Sequence, residues 1–223
     1  MVKNEREIRC LRESAALNWE TLCEIREILV EGVSEAEIAQ KYIESILNRG
    51  ATGVAFPPII AFGESSAEPH HIPGDRKLKK GDVVLLDVGL IWKGYCSDVT
   101  RTFLFGDRAD FRFETIVRQA HSRALKMCRP GVDFAEIGKM VDDFFQEMKV
   151  FEFRKHNLGH GIGKEVHEPP FVKSEDRILQ AGMCITIEPG LYDSGNFGYR
   201  HEDTIVITKE GYENFYENGN WTR

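Results

Sequence analysis

No run of this sequence approaches the length and apolarity of a membrane span. Its first ten residues, MVKNEREIRC, are charged where a secretory leader needs an apolar centre. Excess positive charge is missing too: 29 Lys and Arg stand against 36 Asp and Glu, a net charge of −7. That balance provides no basic footprint for nucleic acid and no basic stripe for a membrane surface. The five cysteines (Cys10, Cys23, Cys96, Cys128, Cys184) are scattered, odd in number and without a CxxC pair. They fit reduced thiols of a cytoplasmic protein better than a disulfide framework or a thiolate zinc knuckle. There is no GxSxG and no phosphate-cradling P-loop. His167-Glu168 runs into Pro169-Pro170, so a helical HExxH zinc site is excluded as well.

What is present is a repeated pattern. Residues 5–29 place Ile8, Leu11, Ala15, Leu22, Ile25 and Leu29 at helical spacing. Ser34 with Glu37 then reads as a capping box opening a second helix that Gly50 closes. A strand broken by Pro57-Pro58, a loop carrying His70 and His71, and a Gly-punctuated hairpin over 81–101 follow. Helical spacing returns from Phe113 to Met127, and Asp133 with Glu136 repeats the box signature before Ile137–Met148. EGVSEAEIA (31–39) matches PGVDFAEIG (130–138) at an offset of 99 residues, and a second hairpin over 183–207 closes the copy. No charge block or Ser/Pro-rich linker divides the halves. The expectation is an α+β fold with mostly antiparallel sheet, one domain over residues 1–223 built from two related helix-helix-hairpin lobes.

Each hairpin brings carboxylates together. Folding GDVVLLDVGLIWKGYCSDVTR between Trp92 and Lys93 puts Asp87 opposite Asp98. Folding the second hairpin near Gly195 puts Glu188 opposite Glu202. Opposed like charges repel, and a carboxylate inside an apolar run is costly unless compensated. A divalent cation between the acids is one compensation; for the first hairpin, a solvated Asp98 and an Asp87 paired with Lys or Arg is the other. LGHGIGKEVHE (158–168) adds His160 and His167 on a Gly-rich segment that lets backbone approach a site closely. Four carboxylates and an imidazole make an oxygen-rich set suited to Mn²⁺, Fe²⁺, Co²⁺ or Zn²⁺. Two such ions about 3.5–4 Å apart would hold a hydroxide and clamp the oxygens of a hydrolytic transition state. Alternation turns His201 and Asp203 away from Glu202 towards an outer face. His71 reads as solvated, His121 as a surface residue of the third helix, and Cys96 and Cys184 as packing.

LLDVG (85–89), GYCSDVTRTF (94–103), GHGIGKEVHE (159–168), TIEPGLY (186–192) and YRHEDT (199–204) together resemble the pita-bread dinuclear metallopeptidases: methionine aminopeptidases, Xaa-Pro aminopeptidases, prolidases and the related creatinases. The resemblance covers essentially the whole chain. It implies a pita-bread fold and two divalent ions, Mn²⁺ first among Co²⁺, Fe²⁺ and Zn²⁺. Asp87, Asp98, His160, Glu188 and Glu202 would be the ligands, Asp98 and Glu202 bridging. A hydroxide bridging the ions would attack the scissile carbonyl, with Glu188 as proton shuttle, His167 donating to the developing oxyanion and His70 near the scissile nitrogen. For His167 and His70, bracing a loop is the structural alternative.

Two residues point within the family. HNLGH puts His156 four residues before His160, and Arg200 precedes Glu202 as R-x-E-D; both resemble proline-directed members. The expected substrates are short peptides or protein N-termini cleaved at an N-terminal Xaa-Pro bond, with His156 and Arg200 binding substrate. The alternative for Arg200 is a salt bridge with Asp203 or Asp193. A methionine aminopeptidase and a non-catalytic peptide-binding module are the other readings. Proline-type relatives carry an N-terminal accessory domain expected to be absent here, which leaves the oligomeric state open.

Overall fold

The structure, a computed structural model, describes residues 1–106, 112–173 and 175–216. The first half contains α1 (Glu5–Glu27), α2 (Glu35–Asn48), β1 (Gly53–Val54), β2 (Ile59–Phe62), β3 (Val83–Val88), β4 (Leu90–Trp92), β5 (Tyr95–Cys96) and β6 (Val99–Leu104). The second contains α3 (Arg112–Met127), α4 (Phe134–Glu147), β7 (His160–Gly161), β8 (Glu168–Phe171), β9 (Cys184–Ile187), β10 (Gly190–Asp193), β11 (Phe197–Arg200), β12 (Asp203–Ile207) and β13 (Tyr212–Asn214). Every strand pair is antiparallel. This is the expected α+β, pita-bread architecture. No helix among the described residues is long and apolar enough to cross a membrane.

The internal repeat is visible in the backbone. Gly32 and Gly131 both hold positive φ (90° and 86°), and their N–H groups donate to Leu78 and Leu179 carbonyls at 2.8 Å each. Leu78 and Leu179 in turn donate to Val33 and Val132 at 2.8 Å. Each half also has its own core. Leu22, Ile38, Tyr42 and Ile46 pack on β3 and β6 in the first, and Ile116, Ile137, Phe144 and Phe145 pack on β9 and β12 in the second. Burying such side chains contributes roughly 1.5–3 kcal/mol each, which is what holds each helix pair on its sheet.

The helix starts differ from expectation in one half. Ser34 and Glu37 form the full reciprocal box, as do Asn4 and Glu7 at α1. Asp133 caps α4 by accepting from the Ala135 N–H, but its carboxylate also takes Arg177 Nε at 2.7 Å. An ion pair occupies the place of the expected Glu136 contact.

Both hairpins interrupt their regular strand pairing in the middle, between β3 and β4, β5 and β6, β9 and β10, and β11 and β12, where the Ser97 N–H still donates to the Leu90 carbonyl at 2.9 Å and the His201 N–H to the Pro189 carbonyl at 3.3 Å. The acids sit at these gaps. In the second hairpin Ile187 faces Asp203 and Gly190 faces Arg200, so the same register sets Glu188 opposite Glu202 as expected. In the first it is shifted: Asp87 faces Thr100, and Ile91 faces Cys96. The turn falls on Lys93-Gly94, both at positive φ (51° and 79°), the two-residue geometry that suits strand twist. Carried across the gap, this register puts Asp98 opposite Gly89. A side chain on Gly89 would come within 2.3 Å of the Ser97 carbonyl oxygen. The shift is two residues, so Asp98 keeps the face it was expected to share with Asp87.

Candidate metal centre

A cavity of about 490 Å³ opens between the halves, lined by Asp87, Asp98, His160, Glu188 and Glu202. His70, His156, His167 and Arg200 reach the same cavity, so all nine sequence-predicted site residues converge on one place. One ligand atom each from Asp98, His160 and Glu202 lie within 4.8 Å of one another. His160 Nε2 stands 3.4 Å from Glu188 Oε1 and 3.7 Å from Asp98 Oδ2. Its Nδ1 lies 3.0 Å from the Gly161 carbonyl. Donation to that carbonyl assigns the proton to Nδ1 and leaves the Nε2 lone pair facing the acids.

The glycines of 158–163 make this approach possible. A Cβ on Gly159 would come 2.0 Å from the Thr186 carbonyl oxygen, and one on Gly161 2.4 Å from that of Pro169. Thr186 Oγ1 receives the His160 N–H at 3.1 Å, which seats the imidazole beside β9.

Electrostatics mark the cluster as incomplete without cations. Burial, then the neighbouring Glu202 and Asp87 charges, pushes the Asp98 carboxyl well above its usual range. Burial, then Glu188 and Asp87, does the same to Glu202. Burial raises Glu188 to about 8 although Arg200 opposes it. His160 is pushed down to about 4 by burial, so its imidazole is neutral at ordinary pH, the form that can bind a metal. Asp87 Oδ1 is buried with no hydrogen-bond partner. An orphaned carboxylate oxygen beside three acids and a neutral imidazole fits divalent metal, and the N/O donor set suits first-row ions.

Arg200 is engaged on every side. Its Nη2 pairs with Asp87 Oδ2 at 2.5 Å, Nη1 with the Tyr192 hydroxyl at 2.5 Å, and Nε with Thr100 Oγ1 at 3.0 Å. The partner is therefore Asp87, where sequence reasoning offered Asp203 or Asp193. Thr100 Oγ1 donates to Glu202 Oε2 at 2.7 Å. The Tyr192 hydroxyl also meets His156 Nε2 at 2.7 Å, and His156 Nδ1 lies 3.6 Å from Glu188 Oε2. Burial holds His156 down to about 3. His167 packs edge-on against His160, ring centroids 4.3 Å apart.

Three expectations need correction, and two residues were missed. His121 is buried, not on the surface. His201 and Asp203 do leave the Glu202 face, but they enter the protein instead of facing out, because α3 covers that side. His71 is half-buried and bonds Glu35 Oε2 at 2.7 Å. Glu35, wholly buried at the start of α2, also accepts from the Phe62 and Gly74 N–H groups and so anchors both ends of the His70 loop. Tyr192 links His156 to Arg200. The sequence reading passed over Glu35, whose place at the first helical position an ordinary helix start explains equally well; nothing in the spacing distinguished Tyr192 from a core aromatic. Cys96 and Cys184 pack with Leu11, Ile162 and Val206, and all five cysteines are unpaired.

A two-lobed fold with this cluster at its seam defines a metallohydrolase class. Residues 9–209 match Metallopeptidase family M24, and the chain belongs to that family of metal-dependent peptidases. An uncharacterized peptidase of Staphylococcus aureus (strain USA300) is 39% identical over 215 residues, covering 95% of this chain and 61% of that protein. The prolidase from Pyrococcus horikoshii OT3 superposes with a TM-score of 0.93 at 36% identity, over 97% of this chain and 63% of that one. The X-Pro aminopeptidase from Thermotoga maritima MSB8 does so with 0.93 at 36%, over 96% and 62%. The chain thus spans about three-fifths of the length of the relatives it matches.

Proposed function

We propose that residues 1–223 form the catalytic unit of a peptidase that hydrolyses the N-terminal Xaa-Pro bond of dipeptides or short peptides. The observation that carries this reading is the convergence of Asp87, Asp98, Glu188, Glu202 and His160 on one cavity, where Asp98, Glu188 and Glu202 are held above their usual range. These five residues would hold the two divalent ions, manganese being the favoured metal. Bound metal supplies Lewis acidity and makes water a nucleophile near neutral pH.

The chain's own residues do the rest. Glu188 is the proton carrier: its carboxyl sits between His160 and His156 at the cavity wall, in reach of the water that would be activated there. His167 and His70 stand at the cavity wall, able to donate to the carbonyl oxygen and to face the scissile nitrogen. Arg200 holds Asp87 in place, and the Tyr192 hydroxyl fixes His156. Phe56, Pro57, Ile59, Ile72 and Phe171 give the cavity an apolar part of its lining. That surface suits a pyrrolidine ring, whose imide nitrogen brings no N–H to be left unsatisfied. Relatives named prolidase and X-Pro aminopeptidase support the same choice. The five unpaired thiols support a reducing, cytoplasmic setting.

The test is a panel of Xaa-Pro, Xaa-Pro-Yaa and Met-Ala-Yaa peptides assayed with Mn²⁺, Co²⁺ and Zn²⁺. Cleavage confined to the proline peptides is expected. Turnover of Met-Ala-Yaa with proline peptides untouched would establish the methionine reading instead, and peptide binding without turnover a non-catalytic module.

A further inference from the structure

Strand alternation sends Glu202 into the cavity and its neighbours His201 and Asp203 to the reverse side of the sheet, where they meet His121 of α3. One ligand atom from each of these three residues lies within 4.8 Å of the others. His121 Nε2 is 3.4 Å from Asp203 Oδ2, and the two imidazoles stand perpendicular with centroids 4.7 Å apart. Asp203 is held from behind: Arg101 Nη2 pairs with its Oδ1 at 2.6 Å, and Asn214 Nδ2 donates to its Oδ2 at 2.7 Å. His121 and Asp203 are each 5% exposed. Yet His121 Nε2 and His201 Nδ1, both shut off from solvent, have no hydrogen-bond partner. Two buried, unsatisfied ring nitrogens beside an oriented carboxylate call for an occupant.

We propose that His121, His201 and Asp203 form a further metal site, on the reverse side of β12 from the cavity, for a single first-row transition ion such as Zn²⁺ or Co²⁺. Two imidazole nitrogens with one carboxylate oxygen suit these ions, whereas Mg²⁺ and Ca²⁺ take oxygen shells. The Arg101 guanidinium stays on Asp203 Oδ1, and its charge opposes the ion. The site therefore fills after the cavity cluster, where four carboxylates gather. An ion there ties α3 to β12 directly behind Glu202. The proposal stands on this geometry and does not depend on what the cavity hydrolyses.

The experiment counts metal. Metal-free protein, residues 1–223, is titrated with Zn²⁺, separated from free ion and analysed by mass spectrometry of the elements. Three equivalents per chain are expected, falling by one in His121→Ala. Since the alanine could disturb the packing of α3, His121→Gln is run beside it as the conservative variant and is expected to lose the same equivalent. The count is repeated in an Asp98→Asn, His160→Ala background, where the cavity cluster is impaired. Adding His121→Gln there still removes one equivalent, and with Co²⁺ it removes an imidazole-ligated visible band. A wild-type count that His121→Gln leaves unchanged in both backgrounds would overturn the site and mean that water alone fills the gap.

Discussion

The two halves share a scaffold and divide the work unequally. In the second half Glu188 and Glu202 are directly opposed across the hairpin. In the first, Asp87 faces Thr100, and Asp98 faces the bare backbone of Gly89. Aligning Asp87 with Glu188 makes Ala61, which faces Leu85, the counterpart of His160, which bonds Thr186. The first half therefore offers no imidazole at this place, while the second supplies His160 and Arg200 together. Arg200 crosses over to neutralise Asp87, an acid of the other half. The two copies of one fold thus differ in charge and donor type, and in the proposed mechanism the proton carrier Glu188 belongs to the second.

If that asymmetry is right, the largest effect comes from the second half's carrier. Glu188→Gln should lower kcat on an Xaa-Pro peptide by roughly 10²–10⁴; activity within twofold of wild type would remove Glu188 from the role. Next is the link between halves. Arg200→Met should destabilise the metal-free protein by roughly 3–5 kcal/mol in denaturant unfolding, because it strands the buried Asp87 carboxylate. Metal loading should recover much of that loss; the same loss with metal bound would mean that Arg200 supports packing only.

The pH response separates the metal-free from the loaded state. Asp98, Glu188 and Glu202 have folded carboxyl values above their unfolded ones, so the folded metal-free chain binds more protons than the unfolded chain. Their contribution is complete below the usual carboxylate range. It is lost as pH rises, through about 8 for Glu188. Buried His121, His156 and His160, held down to about 4, 3 and 4, oppose this below the ordinary histidine range, where the unfolded chain takes up their protons. The melting temperature of the metal-free protein should therefore fall between about pH 7 and pH 8, and stoichiometric metal should flatten the slope. An unchanged slope would place the cluster outside the metal's reach. The smallest effects belong to the helix starts. Ser34→Ala and Asp133→Ala should each cost about 1 kcal/mol, with kcat unaffected in both.

Much of this was legible beforehand because period and composition carry it. Helical spacing, Gly-punctuated hairpins and the 99-residue echo follow from local physics, and parity protected the acids' shared face even where the first register slipped by two. Turn chemistry decided that slip: Lys93 accepts the left-handed conformation beside Gly94, which a midpoint estimate does not weigh. The misses share one cause. His71 was read as solvated, His121 as a surface residue of its helix and Asp203 as outer-face by strand alternation, but tertiary partners cover each of them: Glu35 for the first, and one another with Arg101 for the other two. Polar residues gathered against one another in the interior leave no trace in hydrophobic periodicity.

The seam position of the cavity has a consequence for reassembly. Asp98 belongs to one half and His160 and Glu202 to the other, so neither half owns a complete ligand group, although each has its own core. Chains divided between Leu104 and Arg112 should remain catalytically silent apart and regain function when mixed, with metal acting as the glue that favours their reunion.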